Sequence, residues 1–175
     1  MQTKTRANIE LAAQVVIALA VVIAAGALVK RTFFPGSASS NLPRINAGEH
    51  LNIANVDWAQ NQKSLVFFLK KDCPYCSSSA PFYRQLIDEA NKRNVKCLAV
   101  FPNSPDDAHK YLQYIDLPIE NVQTGSLAAY KVTGTPTVLF VDSRGIVRST
   151  WFGAAPEREP EMRDKLVQLF DTKMN

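Results

Sequence analysis

Between Ser64 and Arg93 the chain passes from a short uninterrupted apolar run, through Cys73-Pro74-Tyr75-Cys76, into a helical pattern. This order restricts the possible folds more than any other feature. Ser64 to Leu69 (Ser-Leu-Val-Phe-Phe-Leu) has the length and continuity of a strand buried on both faces. Beyond the cysteines, Tyr83, Leu86, Ile87 and Ala90 fall at i, i+3, i+4 and i+7, one face of a helix reaching about Arg93. A strand that delivers two cysteines to a helix N-terminus has chemical consequences. The free N–H groups and positive end of the helix favour a thiolate at Cys73. Pro74 suits the first turn, where its missing N–H is not needed. Cys76, about one turn on, brings a second sulfur near the first, so Cys73 can attack a disulfide and Cys76 can resolve the mixed disulfide. Lys70 and Lys71 add positive charge nearby, and Asp72 opposes them.

The remaining elements follow from the same patterning. Val95 to Phe101 reads as a second buried strand, and Pro105-Asp106-Asp107 opens a helix to about Ile115. A short strand is expected near Asn121 to Gln123 and a short helix over Ser126 to Tyr130. Thr137 to Val141 and Ile146 to Trp151 form a hairpin around Asp142-Ser143-Arg144-Gly145. A last helix, from about Glu157 to Met174, places Met162, Leu166, Leu169 and Phe170 on one side. The order β-α-β-α-β-α-β-β-α implies an α/β domain with a central mixed sheet and helices on both faces.

A different signal lies at the N-terminus. Leu11 to Val29 runs 19 residues without a charge, nearly the length needed to cross a hydrocarbon core of about 30 Å. The run is apolar all round, which disfavours an interfacial helix. A signal anchor is preferred to a cleaved signal peptide, because the run exceeds the usual h-region and Lys30-Arg31 follow it directly. A buried core helix is the third reading. Positive charges flank both ends, so the positive-inside rule gives little direction. An N-in, C-out orientation is inferred from the redox chemistry downstream. Pro35 to Asn41 (Pro-Gly-Ser-Ala-Ser-Ser-Asn) has the composition of a flexible tether. The expected organisation is a cytoplasmic N-terminus over 1–8, a transmembrane helix over 9–29, a linker over 30–44 and a folded domain over 45–175.

Charge and cysteine content exclude other classes. The net charge of +4 resides in residues 1–48, and residues 49–175 carry 15 basic and 15 acidic side chains. No basic footprint for nucleic acid remains on the folded part. Three cysteines, Cys73, Cys76 and Cys97, are too few for a disulfide scaffold but suit one reactive pair and one bystander. Cys97, inside a predicted strand, reads as a small buried hydrophobe. A zinc half-site would need two further ligands, and neither His50 nor His109 has ligand spacing. No metal or cofactor is expected. Trp58 and Trp151 read as packing residues, either of which could flank the site.

With these residues in view the chain resembles thioredoxin-fold proteins, and among them the membrane-anchored TlpA-like (ResA-like) thiol–disulfide oxidoreductases. The likeness spans roughly Leu42 to Phe170. It rests on Cys73-Pro74-Tyr75-Cys76, on Pro81 five residues later, and on Val132-Thr133-Gly134-Thr135-Pro136-Thr137, similar to the family's cis-proline loop. Leu139-Phe140-Val141-Asp142, Gly145 and Gly153 add to it. The resemblance implies a thioredoxin-like fold, with a cis Pro136 beside the cysteines and the Thr135 backbone free to pair with an extended substrate. Pro74, Tyr75, Thr135 and Pro136 would then contact substrate, with Cys73 and Cys76 catalytic. It further implies protein dithiol or disulfide substrates, a membrane electron donor of DsbD type, and a redox domain on the periplasmic side of a bacterial inner membrane. A reductant serving cytochrome c maturation and a general oxidant are both compatible with it.

Departures from the family leave redox direction open. Thioredoxins carry a buried acid where this chain has Phe67. The residue before the first cysteine is often Trp, here Asp72. Several TlpA-like reductases carry Glu where this chain has Ser79, and the Pro-Tyr dipeptide resembles glutaredoxins. Two other functions share the fold. A peroxidase-like redoxin would want Pro-x-x-x-Thr/Ser-x-x-Cys, which the residues before Cys73 do not match. A copper-handling protein would want CxxxC and a partner histidine, and neither is evident.

Overall fold

A computed structural model describes residues 44–173. The segments assigned above to the cytoplasmic N-terminus, the transmembrane helix and nearly all of the linker lie outside the described residues. Among the described residues no helix is long and apolar enough to cross a membrane.

The elements in chain order are α1 (Trp58–Asn61), β1 (Lys63–Phe68), α2 (Pro74–Ser78), α3 (Ala80–Asn91), β2 (Lys96–Phe101), α4 (Pro105–Tyr114), β3 (Asn121–Thr124), a 3-10 turn (Leu127–Tyr130), β4 (Thr137–Asp142), β5 (Val147–Phe152), a second 3-10 turn (Pro156–Arg158) and α5 (Glu159–Asp171). The sheet order is β3-β2-β1-β4-β5. β1 pairs in parallel with β2, and β2 with β3, while β4 runs antiparallel to both β1 and β5. This is the mixed sheet expected from the sequence.

β1 is the central strand, which explains its continuous hydrophobicity. Leu65 to Leu69 have no exposed surface. Leu65, Phe67 and Leu69 join the core under α3, α4 and α5, while Val66 and Phe68 join the core of the opposite face. The two faces are covered unequally. All three long helices pack on the first. The second is closed by the 3-10 turn, α1 and the segment leading into it, whose Ile45, Leu51 and Ile53 are buried. That segment is held by backbone bonds from Ile45 to Lys131, Gly48 to Val147 and Leu51 to Gly145.

The single helix expected from Cys73 to Arg93 is divided into α2 and α3 at Ser79. Pro81, at the start of α3, has no N–H to continue the ladder, so the first turn and the long helix are separate pieces. The last helix is shorter than its sequence pattern: a 3-10 turn occupies Pro156–Arg158 and α5 begins at Glu159. Within it Met162, Leu166 and Phe170 are buried and Leu169 is partly so. Cys97 is half-buried, paired across the sheet with Leu65 at the start of β1. It is therefore at the end of the sheet away from Cys73, and burial pushes its thiol up to about 12.

The β4–β5 hairpin contains a buried carboxylate. Asp142 is 2% exposed. Its Oδ1 accepts from the Arg144 and Ile146 amides at 2.9 and 3.0 Å, and its Oδ2 from Arg148 at 2.7 Å. Burial raises its pKa, but those amides and the guanidinium outweigh burial and hold it below the ordinary value. The stabilisation is therefore fully present above the unfolded Asp value of about 3.9 and is lost as pH falls through the lower folded value. Asp142→Ala should cost about 1–3 kcal/mol by leaving these donors without their acceptor. Asp142→Asn should be destabilised near neutral pH by an amount that shrinks below about pH 4. Denaturant titrations of wild type and Asp142→Asn at pH 6 and pH 3 check both sign and window.

Candidate functional site

The site forms where the C-terminal end of β1 meets the start of β4, which lie side by side at Phe68 and Thr137. Past β1 the chain turns through Asp72, whose φ of 62° is a left-handed conformation that Asp tolerates. Cys73 then serves as the N-cap of α2, with Pro74 in the first turn. The loop before it is held from α4's side: the Lys71 amide donates to Asn103 Oδ1 at 3.1 Å, and Lys71 Nζ to Asp107 Oδ1 at 2.9 Å. Lys71, expected to support a thiolate, is thus paired with Asp107, and Lys70 is exposed.

Both site cysteines are free thiols. Cys73 is 8% exposed and Cys76 has no exposed surface. Cys73 Sγ accepts from the Cys76 amide at 3.2 Å, the geometry of an N-cap side chain. The Thr135 hydroxyl donates to the same sulfur at 3.4 Å, and the Cys73 thiol lies 3.5 Å from the Thr135 carbonyl as a donor. The Thr135–Pro136 peptide bond is cis, as the resemblance implies. Pro136 is buried, and its carbonyl accepts from the Gly153 amide at 2.8 Å. The structure therefore gathers Cys73, Cys76, Thr135 and Pro136. Pro74 and Tyr75 stand at the rim, Tyr75 with 64% of its surface exposed.

The two sulfurs have different surroundings. Burial pushes the Cys76 thiol well above its ordinary value, and its neighbour Cys73 adds to the effect. The Lys70 amide and the Thr135 hydroxyl oppose this without overcoming it. Phe67, where a thioredoxin would have an acid, is fully buried with its ring 5.3 Å from that of Tyr83. Phe67, Tyr83 and Cys76 share one core, and β1 supplies no carboxylate proton acceptor.

Two further residues contribute that the sequence pattern does not single out. Tyr111, on α4, donates its phenolic O–H to the Cys73 carbonyl at 3.2 Å. The Ser77 hydroxyl stands 3.0 Å from that phenol and 3.4 Å from the same carbonyl. The available signal was a tyrosine at a helix position with core periodicity: Ala108, Tyr111, Leu112 and Ile115 share one buried face, and a buried phenol needs a partner. Tyr111 also lines an open groove of about 590 Å³ with Cys73, Pro74, Ser77, Lys110 and Tyr114. Trp151 borders a crevice with Ser79, Phe82 and Gly153. Trp58 packs away from the site, against the second core.

Solved structures share this architecture. A candidate thiol:disulfide interchange protein DsbE from Chlorobium tepidum aligns with a TM-score of 0.59 at 19% identity, covering 72% of this chain and 99% of its own. The thioredoxin domain of a thiol-disulfide oxidoreductase from Bacteroides vulgatus aligns at 0.56 and 15% identity, covering 70% and 99%. A thiol-disulfide isomerase from Corynebacterium glutamicum aligns at 0.55 and 14% identity, covering 77% and 99%. At these identities the likeness establishes the thioredoxin-like fold. A search of curated proteins finds no match to the sequence. The model of the AhpC/TSA family matches residues 40–150, well over half of the 175-residue chain. The chain belongs to the AhpC/TSA family.

Proposed function

We propose that this protein is a thiol–disulfide oxidoreductase that exchanges dithiols and disulfides with protein substrates. The observation that carries this reading is the pairing of a rim-side Cys73 with a fully buried Cys76 at a helix N-terminus, beside the Thr135–Pro136 loop. In the reductive direction the Cys73 thiolate attacks a substrate disulfide, one substrate sulfur leaves as a thiolate and takes up a proton, and a mixed disulfide forms. Cys76 loses its proton and attacks Cys73 Sγ. The second substrate sulfur leaves, so two electrons pass to the substrate and a Cys73–Cys76 disulfide remains. The reverse sequence oxidises a dithiol. The neighbours named as thiol-disulfide proteins support this reading through their shared fold.

The finer assignment is a TlpA-like protein tethered by residues 9–29, its redox domain outside the cytoplasm and a membrane donor of DsbD type as its reductant. The charge-free run from Leu11 to Val29 and the linker after it support the tether. Service to cytochrome c maturation is the role this subclass suggests. The peroxidase reading is weaker on local grounds: its pattern would need Pro at position 66 and Thr or Ser at 70, where this chain has Val66 and Lys70.

The test compares substrates for the full-length protein in detergent. Turnover of a disulfide-bonded protein with a dithiol reductant is expected, with hydrogen peroxide consumed no faster than by free thiol. Peroxide turnover without protein disulfide exchange would reverse the assignment. For the tether, a reporter fused after Asn175 should be active only in its exported form; a cytoplasmic reporter signal would overturn the localisation.

A further inference from the structure

The Cys73 carbonyl is approached by more donors than it has lone pairs. The Cys76 amide lies 3.0 Å from it and the Ser77 amide 3.2 Å. The Tyr111 phenol donates to it at 3.2 Å, and the Ser77 hydroxyl is 3.4 Å away. A carbonyl oxygen offers two lone pairs. Of these donors, the Cys76 amide has a second acceptor within reach, Cys73 Sγ at 3.2 Å. Its N–H is therefore shared between the oxygen and the sulfur of the same residue. Any group that occupies the oxygen shifts that N–H toward the sulfur.

We infer that Tyr111, assisted by Ser77, is a positioning residue for the Cys73 sulfur: by occupying the Cys73 carbonyl it directs the Cys76 N–H onto Sγ. The inference rests on the exchange reading for its biological meaning, though not for its chemistry. Tyr111 touches no reacting atom. It comes from α4, a separate element that lines the groove beside Cys73, and the phenol is held in place by the edge-on packing of its ring against Phe101, centroids 6.1 Å apart. A hydrogen bond to sulfur favours the reduced, anionic form more than the disulfide, whose sulfurs are weak acceptors. The phenol should thus raise both the reactivity of Cys73 and the reduction potential of the pair.

Tyr111→Phe removes the O–H and keeps the ring. In the full-length protein in detergent, the rate of Cys73 alkylation by iodoacetamide at pH 7 should fall about fivefold, the scale of one net hydrogen bond. Equilibration with glutathione, in which the dithiol and one oxidised glutathione give the protein disulfide and two reduced glutathiones, should shift about fivefold toward the protein disulfide. For a two-electron couple that is a potential about 20 mV more negative. Ser77→Ala should move both readouts the same way by less. A thermal melt close to wild type would show that the change is not a loss of fold. Unchanged alkylation rate and potential in Tyr111→Phe, whatever its stability, would overturn the inference and reduce Tyr111 to packing. Failure of wild type to form the Cys73–Cys76 disulfide with oxidised glutathione would instead overturn the exchange reading, and the alkylation comparison would still decide the role of Tyr111.

Discussion

Cys76→Ser is expected to accumulate mixed disulfides through Cys73, and Cys73→Ser to accumulate none, with turnover at background in both. The asymmetry follows from access. Cys73 lines the open groove and keeps 8% of its surface exposed, whereas Cys76 has no exposed surface. Burial and the neighbouring Cys73 also keep the Cys76 thiol protonated at neutral pH. A buried, protonated thiol does not begin an exchange, but it can finish one, because its target sulfur is delivered to it within the same turn of chain. In wild type the resolving step should therefore quicken as pH rises from 7 to 9, since the thiolate fraction of a group with a raised pKa grows about tenfold per pH unit below that value. Capture of substrate-linked species after acid quenching, followed by mass analysis under non-reducing conditions, reads the first expectation. Stopped-flow decay of the mixed disulfide across pH reads the second. Trapping by Cys73→Ser alone would reverse the division of labour. Cys97→Ser should leave exchange intact, because Cys97 lies at the far end of the sheet.

Gly145→Ala should be severely destabilised and yet, in the molecules that fold, catalytically normal. Gly145 sits in the β4–β5 turn at a φ of 75°, and a Cβ built there would lie 2.8 Å from Trp58 Cδ1 and 2.9 Å from His50 Nε2. The left-handed conformation costs a non-glycine residue about 1–2 kcal/mol. Trp58 is itself buried in the second core, so its ring cannot swing aside freely, and overpacking of that kind adds about 1–3 kcal/mol. The sum is a large part of the stability of an ordinary domain, about 5–15 kcal/mol. Because β4 runs antiparallel to β1, this turn lies beside the start of β1, whereas Cys73 follows its end. A lowered denaturation midpoint with unchanged Cys73 alkylation rate is the expected pair of results. Wild-type stability would mean that the Trp58 and His50 side chains yield without cost.

The parts of this protein legible in its sequence are those governed by local periodicity. β1 carries an apolar residue at every position from Leu65 to Phe68, and Leu69 follows it, because both sheet faces bury this stretch; that pattern is plain in the sequence. The CxxC turn is likewise local: an N-cap sulfur, Pro74 in the first turn and a second sulfur three residues on are contained in one short stretch. The place of Thr135 and Pro136 was readable only through resemblance, since nothing in their spacing alone sets them against Cys73. Long-range pairings left no such trace. Lys71 reads as a free cation until α4 brings Asp107 to it. Asp142 reads as a turn residue until Arg148 closes over it. Tyr111 reads as core because its helix face is core, and it becomes part of the site only when packing of α4 brings its phenol to the Cys73 carbonyl. Backbone preferences and hydrophobic repeats act between neighbours along the chain and are written there. Which hydroxyl meets which carbonyl across 38 residues is settled by how helix and sheet pack, through side-chain contacts that no single segment encodes.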